Sequence, residues 1–155
     1  INFILTQMKF LKIKDVKTPT RGTSQSAGID LYIPNDYPST KIKPQQSIFI
    51  PSGLKINVPE NNVLIAMNKS GVALKKNLQV GACVIDEDYQ GEIHIHLTNV
   101  GDKPTYIEGG DKIIQCVLLP VNYDIVELAN SEEKSSLGES EAIKPLTSID
   151  IQESI

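Results

Sequence analysis

The chain has 155 residues and a formal net charge of −4, which is enough length for one domain with a substantial core and no disulfide or metal staple. That charge gives no broad cationic field, so nucleic acid wrapped on a basic surface is not expected and any phosphate recognition should be local. No run in the sequence approaches the length of a membrane span, and no membrane partner is expected.

The opening I-N-F-I-L-T-Q is too short and poorly flanked for a signal peptide. Met8 is followed by K-F-L-K-I-K, so a natural start at Met8 is expected, with residues 1–7 an upstream extension. Lys9 to Lys14 alternates polar and apolar, the pattern of a half-buried strand. Thr18 to Gly28 is a polar loop dense in small residues, leading into the strand Ile29 to Ile33. Asp30 sits among apolar neighbours there, where a carboxylate needs a hydrogen bond or a paired charge. It either ties down the preceding loop or serves a site.

Breaks at Pro34-Asn35, Pro44 and Pro51-Ser52-Gly53 separate the runs Ser47 to Ile50, Leu54 to Val58 and Val63 to Met67. Strand and turn recur roughly every ten residues, the signature of an all-β sandwich or barrel. A short helix is expected to begin at Ser70, itself an N-cap candidate. Asn68-Lys69-Ser70-Gly71 combines an ammonium, a hydroxyl and backbone N–H groups at a glycine, the parts of a small anion cradle. The same residues also suit a plain surface turn.

The stretch Val80 to Leu97 organises the rest. It reads as a hairpin of Gly81 to Ile85 and Glu92 to Leu97 around a turn carrying Asp86, Asp88 and Tyr89, closed by Gly91 at positive φ. Such a turn fixes two carboxylates and a ring, although Asp-rich turns are also ordinary hairpin punctuation. His94 and His96 share a strand face, but no third ligand stands at a suitable spacing, and no metal site built from protein alone is expected.

Cys83 and Cys116 lie in apolar runs and read as reduced thiols in a cytoplasmic protein. Thr105 to Lys112 is strand and turn, and Ile113 to Val121 is an apolar strand interrupted by Gln115. That amide bonds a neighbouring backbone or projects to a ligand. The polar, acidic tail from Asn130 to Ile155 is expected to be mobile, leaving residues 8–129 as the β domain.

Four segments in order resemble motifs of the trimeric deoxyuridine triphosphatase (dUTPase) family. They are Ala27-Gly28-Ile29-Asp30-Leu31, Lys69-Ser70-Gly71-Val72-Ala73, Gly81 to Gly91, and Gly110-Asp111-Lys112-Ile113-Ile114-Gln115. The resemblance implies a jelly-roll β-sandwich, a homotrimer with active sites assembled from neighbouring subunits, and Mg²⁺-dependent cleavage of dUTP to dUMP and pyrophosphate. It implies that Asp86 activates the attacking water and Tyr89 packs on the deoxyribose. The backbone of Cys83, Val84 and Ile85 would read uracil, and His94 would border the base pocket. Lys69, Ser70, Gly71 and Gln115 would hold phosphates and water, with Asp30 behind them. Mg²⁺ would ride in on the triphosphate rather than bind a protein cage.

Three departures stand out. Lys69 replaces the family's usual Arg, keeping charge but losing the bidentate fork. Cys83 stands where relatives often have Gly. The family's fifth motif, an Arg-Gly and Phe-containing lid, has no recognisable counterpart at Lys134 to Ser140. Two alternatives follow: a catalytically weak nucleotide-binding or regulatory protein, and a pyrophosphatase for a modified deoxyuridine nucleotide. A dCTP deaminase, an activity found on a related fold, fits the Asp86 to Tyr89 pattern poorly.

Overall fold

A computed structural model of the chain describes residues 7–130. The expected tail beyond Asn130, including Lys134 to Ser140 where the fifth motif has no recognisable counterpart, lies outside the described residues, as does all but Gln7 of the expected extension. The strands are β1 (Lys9–Lys12), β2 (Thr20–Arg21), β3 (Ile29–Tyr32), β4 (Thr40–Ile42), β5 (Ser47–Pro51), β6 (Leu54–Asn57) and β7 (Asn62–Asn68). After the single described helix, α1 (Ser70–Lys76), come β8 (Leu78–Val80), β9 (Val84–Ile85), β10 (His94–Asn99), β11 (Thr105–Ile107) and β12 (Lys112–Pro120). The all-β jelly-roll architecture is thus as expected, with one short helix.

Four antiparallel sheets form, in the orders β2-β3-β12-β7-β9, β5-β10-β8, β1-β6 and β11-β4. Period-two alternation explains why they share one core. In β10, Ile95 and Leu97 point inward at 1% exposure while His94 and His96 point to the other face. Leu31, Ile42, Ile50, Leu54, Leu64, Ile107 and Ile114 come from six further strands plus β12 and meet in the same cluster. Chains of branched aliphatics on both inner faces supply the burial that drives closure. The compact unit holding these strands ends at Asn122. Tyr123–Asn130, in a second unit, carry no helix or strand, and Tyr123, Ile125, Val126 and Leu128 there are exposed.

The expected Gly81–Leu97 hairpin does not form. β9 pairs with β7, whereas β10 pairs with β5 and β8, so the two runs belong to different sheets and the turn between them bridges those sheets. Nor is Gly91 at positive φ, which is found at Gly53 (73°) and Gly110 (85°) among the glycines. Gly91 is required for a different reason: a Cβ there would stand 2.6 Å from the Tyr89 hydroxyl. At α1 the N-cap is Lys69 rather than Ser70, with no side-chain cap bond. The helix ends on Asn77 in the left-handed region, φ 51°, and Lys75 and Lys76 complement its C-terminal dipole.

Candidate active site

Asp86 opens the turn after β9, and the Tyr89 amide donates to its carbonyl at 3.1 Å. Its carboxylate is exposed and has no hydrogen-bond or ionic partner among the described residues. Neighbours hold the turn around it. The Tyr89 hydroxyl donates to the Glu92 carbonyl at 2.7 Å, and Glu87 accepts from the Asn61 amide at 3.0 Å. Glu92 itself anchors the Gly53 amide at 2.9 Å and pairs with Lys14 at 3.4 Å.

Beside this turn lies a recess of about 190 Å³, walled by Cys83, Val84, Ile85, Tyr89, His94 and Phe49 among others. All three residues expected to read a base by their backbone therefore line one hollow, together with the expected Tyr89 and His94. β9 stands at the edge of its sheet, paired only with β7, so its other side keeps backbone donors and acceptors for a ligand. Tyr89 also borders a larger hollow of about 420 Å³ on the β1–β6 pair. There the backbone groups of the two strands engage each other, which makes the smaller recess the better reader of a planar polar edge.

A second cluster gathers the other expected residues. Asp30, 5% exposed, is ion-paired with Lys69 and stands 3.7 Å from Lys112. The predicted charge partner of Asp30 is therefore Lys69, and Lys112 is a contributor that spacing did not reveal. β12 lies between β3 and β7, with Gln115 opposite both Asp30 and Met67. Gln115 donates through Nε2 to the Asn68 carbonyl at 2.8 Å, so the amide meets a neighbouring backbone. Gly28 is needed for that placement, since a Cβ there would overlap Gln115 Oε1 at 2.0 Å. Ser70 and Gly71 follow on the exposed first turn of α1, and a Cβ at Gly71 would meet open space.

Asp86 and the Lys69 cluster do not meet within one chain. Ile85 sits opposite Leu64 on β7, and Lys69 follows β7 five residues further on, roughly 17 Å away at the rise of a strand. Asp86 and the Lys69–Gly71 turn thus occupy opposite ends of β7.

Cys83 and Cys116 are both free, but their settings differ. Cys116 is buried in the core, and burial pushes its thiol up to about 12. Cys83 is only half-buried and faces the recess. Sequence reasoning missed Phe49, read His96 only as half of a metal pair, and read Asn68 only as part of an anion cradle. The side-chain oxygen of Asn68 accepts from the Val80 amide at 2.8 Å, a contact joining residues twelve apart for which no local pattern exists. Among the described residues no group of three or more His, Cys, Asp or Glu side chains is arranged to hold a metal.

A β jelly roll that carries an edge-strand recess beside a free carboxylate, and separately a lysine, serine and amide cluster, has the layout of a nucleotide-handling protein. Comparisons narrow the class. The dUTPase family model matches residues 14–143. The chain is 39% identical over 119 residues to a deoxyuridine 5'-triphosphate nucleotidohydrolase of Aquifex aeolicus (strain VF5), covering 72% of this chain and 79% of that protein. Among solved structures it is similar to the native EIAV dUTPase, with a TM-score of 0.68 and 26% identity over 81% of this chain and 98% of that one. It also shares its fold with a mutant dUTPase from phage phi11 of S. aureus, described with a structural Mg(II) ion, at a TM-score of 0.71 and 19% identity over 81% of this chain and 98% of that one. This chain belongs to the dUTPase family.

Proposed function

We propose that the protein hydrolyses dUTP to dUMP and pyrophosphate in a site completed by two copies of the chain, one giving the recess and Asp86, the other the Lys69 cluster. The observation that carries this reading is the Asp86 carboxylate, unpartnered among the described residues and exposed directly after Ile85 on the turn that leaves the wall of the β9 recess. Uracil enters the recess, where the edge of Cys83–Ile85 offers a fixed order of donors and acceptors that a cytosine amino group mismatches. Tyr89 borders the sugar and leaves no room for a 2′-hydroxyl. Asp86 takes a proton from a water directed at the α-phosphate, and pyrophosphate departs.

Lys69 spends one N–H on Asp30, and an ammonium has three, so two remain for phosphate oxygens. The Ser70 hydroxyl and the Gly71 amide add neutral donors, and Gln115, tethered through Nε2, keeps its Oε1 for water. Mg²⁺ would be held by the triphosphate and water rather than by the protein. Such a cation would supply charge neutralisation beyond what the Lys69 ammonium gives the phosphates.

The full chain supplied with dUTP and Mg²⁺ is expected to release pyrophosphate, and Asp86→Asn is expected to slow release by about a thousandfold while dUTP still binds. A wild-type rate on Asp86→Asn, or no release from the native chain, removes the reading. Because Cys83 faces the recess, the same assay run on 5-substituted deoxyuridine triphosphates reads how far its thiol restricts the base.

A further inference from the structure

In the sequence His96 reads only as the strand-face neighbour of His94, and no role assigned above uses it. Its ring faces the segment that leads from β8 into β9. The Gly81 amide donates to the His96 carbonyl at 3.0 Å, and the Ala82 amide donates to His96 Nδ1 at 2.8 Å. An imidazole nitrogen that accepts must be unprotonated, so the ring proton sits on Nε2. A Cβ on residue 81 would come within 2.2 Å of Nδ1, so the glycine is what lets the ring reach the next amide. From the other side Phe49 of β5, paired with His96 in register, lies 5.0 Å from the imidazole centroid. One residue beyond Ala82, the Cys83 carbonyl accepts from the Ala66 amide at 2.8 Å. The wall of the recess is thus held at one end by a side chain of β10 and at the other by β7.

We infer that His96 is a positioning residue for base recognition: its Nδ1 fixes the Ala82 peptide, and through it the register of the Cys83–Ile85 edge against the pyrimidine. The inference rests on the proposed base recess. Ala82 is exposed, so water can satisfy its amide when the imidazole is lost. The consequence falls on substrate affinity rather than on folding.

The test measures dUTP hydrolysis and thermal melting on full-length variants. His96→Val removes the acceptor and is expected to raise KM about tenfold, as loss of one orienting hydrogen bond does, with kcat within about twofold of wild type. His96→Asn places an amide oxygen near the position of Nδ1 and is expected to restore KM to within about threefold. Gly81→Ala, which drives the ring away, is expected to match His96→Val and to add little in combination with it. It keeps the question open to test should His96→Val fold poorly. Equal impairment of the Val and Asn variants, a loss in kcat at constant KM, or an unchanged KM in both His96→Val and Gly81→Ala overturns the inference. Cys83→Phe, which fills the recess, separates the two readings. If it raises KM while the His96 and Gly81 variants do not, the recess stands and only the role of His96 falls. If it leaves KM unchanged, the recess itself is misassigned and both fall.

Discussion

Asp30 lies in an apolar strand at little cost because two ammonium groups converge on it, one from the turn before α1 and one from β12. The sequence demanded a partner for this carboxylate but could not say which, since Lys69 is 39 residues away. The two cysteines make the same point. Both lie in apolar runs, yet Cys116 fills the core and Cys83 opens onto a recess. Their chemistry should therefore diverge. At pH 8 iodoacetamide is expected to label Cys83 alone in the folded protein and both thiols in urea, as read by mass spectrometry. Because burial raises the Cys116 pKa from 9.0 to about 12, the unfolded chain gives up that proton first. The stabilisation is fully present below pH 9 and is lost as pH rises towards 12, so the urea midpoint should decline over that window less steeply in Cys116→Ala.

The link between β9 and β10 shows what an element can conceal. Its turn is held by the tyrosine that folds back across Gly91, hydroxyl on the Glu92 carbonyl. Gly91→Ala should displace that ring, lowering stability by about 1–2 kcal/mol by urea denaturation. In a Tyr89→Phe background the penalty should shrink, since the closest contact is gone. The ring, no longer tied to the Glu92 carbonyl, can move aside, although its Cζ would still lie 2.8 Å from the new Cβ. Strands were legible wherever apolar residues alternated over four or more positions, as in β3, β5, β6, β7 and β10. The two- and three-residue strands β2, β4 and β8 left too little pattern to see. The supposed hairpin misled because a tight turn between two apolar runs looks the same whether the runs pair with each other or with distant strands. Ile85 finds Leu64 and Ile95 finds Ile50, choices made by the core rather than by neighbouring residues. For the candidate site, motif order named residues that fall into two groups, the recess lining and the Lys69 cluster. The bond from the Ala82 amide to His96 was not legible, because an imidazole two positions from another reads first as a metal pair.

At the level of the whole molecule, the governing fact is the span of β7, which keeps Asp86 and the Lys69 cluster apart. If each site takes one half from each of two copies, two inactive variants should rescue each other. Asp86→Asn mixed with Ser70→Ala, then unfolded and refolded together, should recover about a quarter of wild-type pyrophosphate release, the statistical yield for a closed ring of three. Either variant refolded alone should stay inactive, and a mixture equally silent would place both halves in one chain.

On the proposed reading, a seven-residue strand sets the separation that a second copy of the chain has to close. Turnover per molecule then becomes a property of the population. Diluting the protein past the point where its copies part should extinguish activity in each of them while leaving every β-sheet intact by circular dichroism, and concentrating it again should bring the activity back.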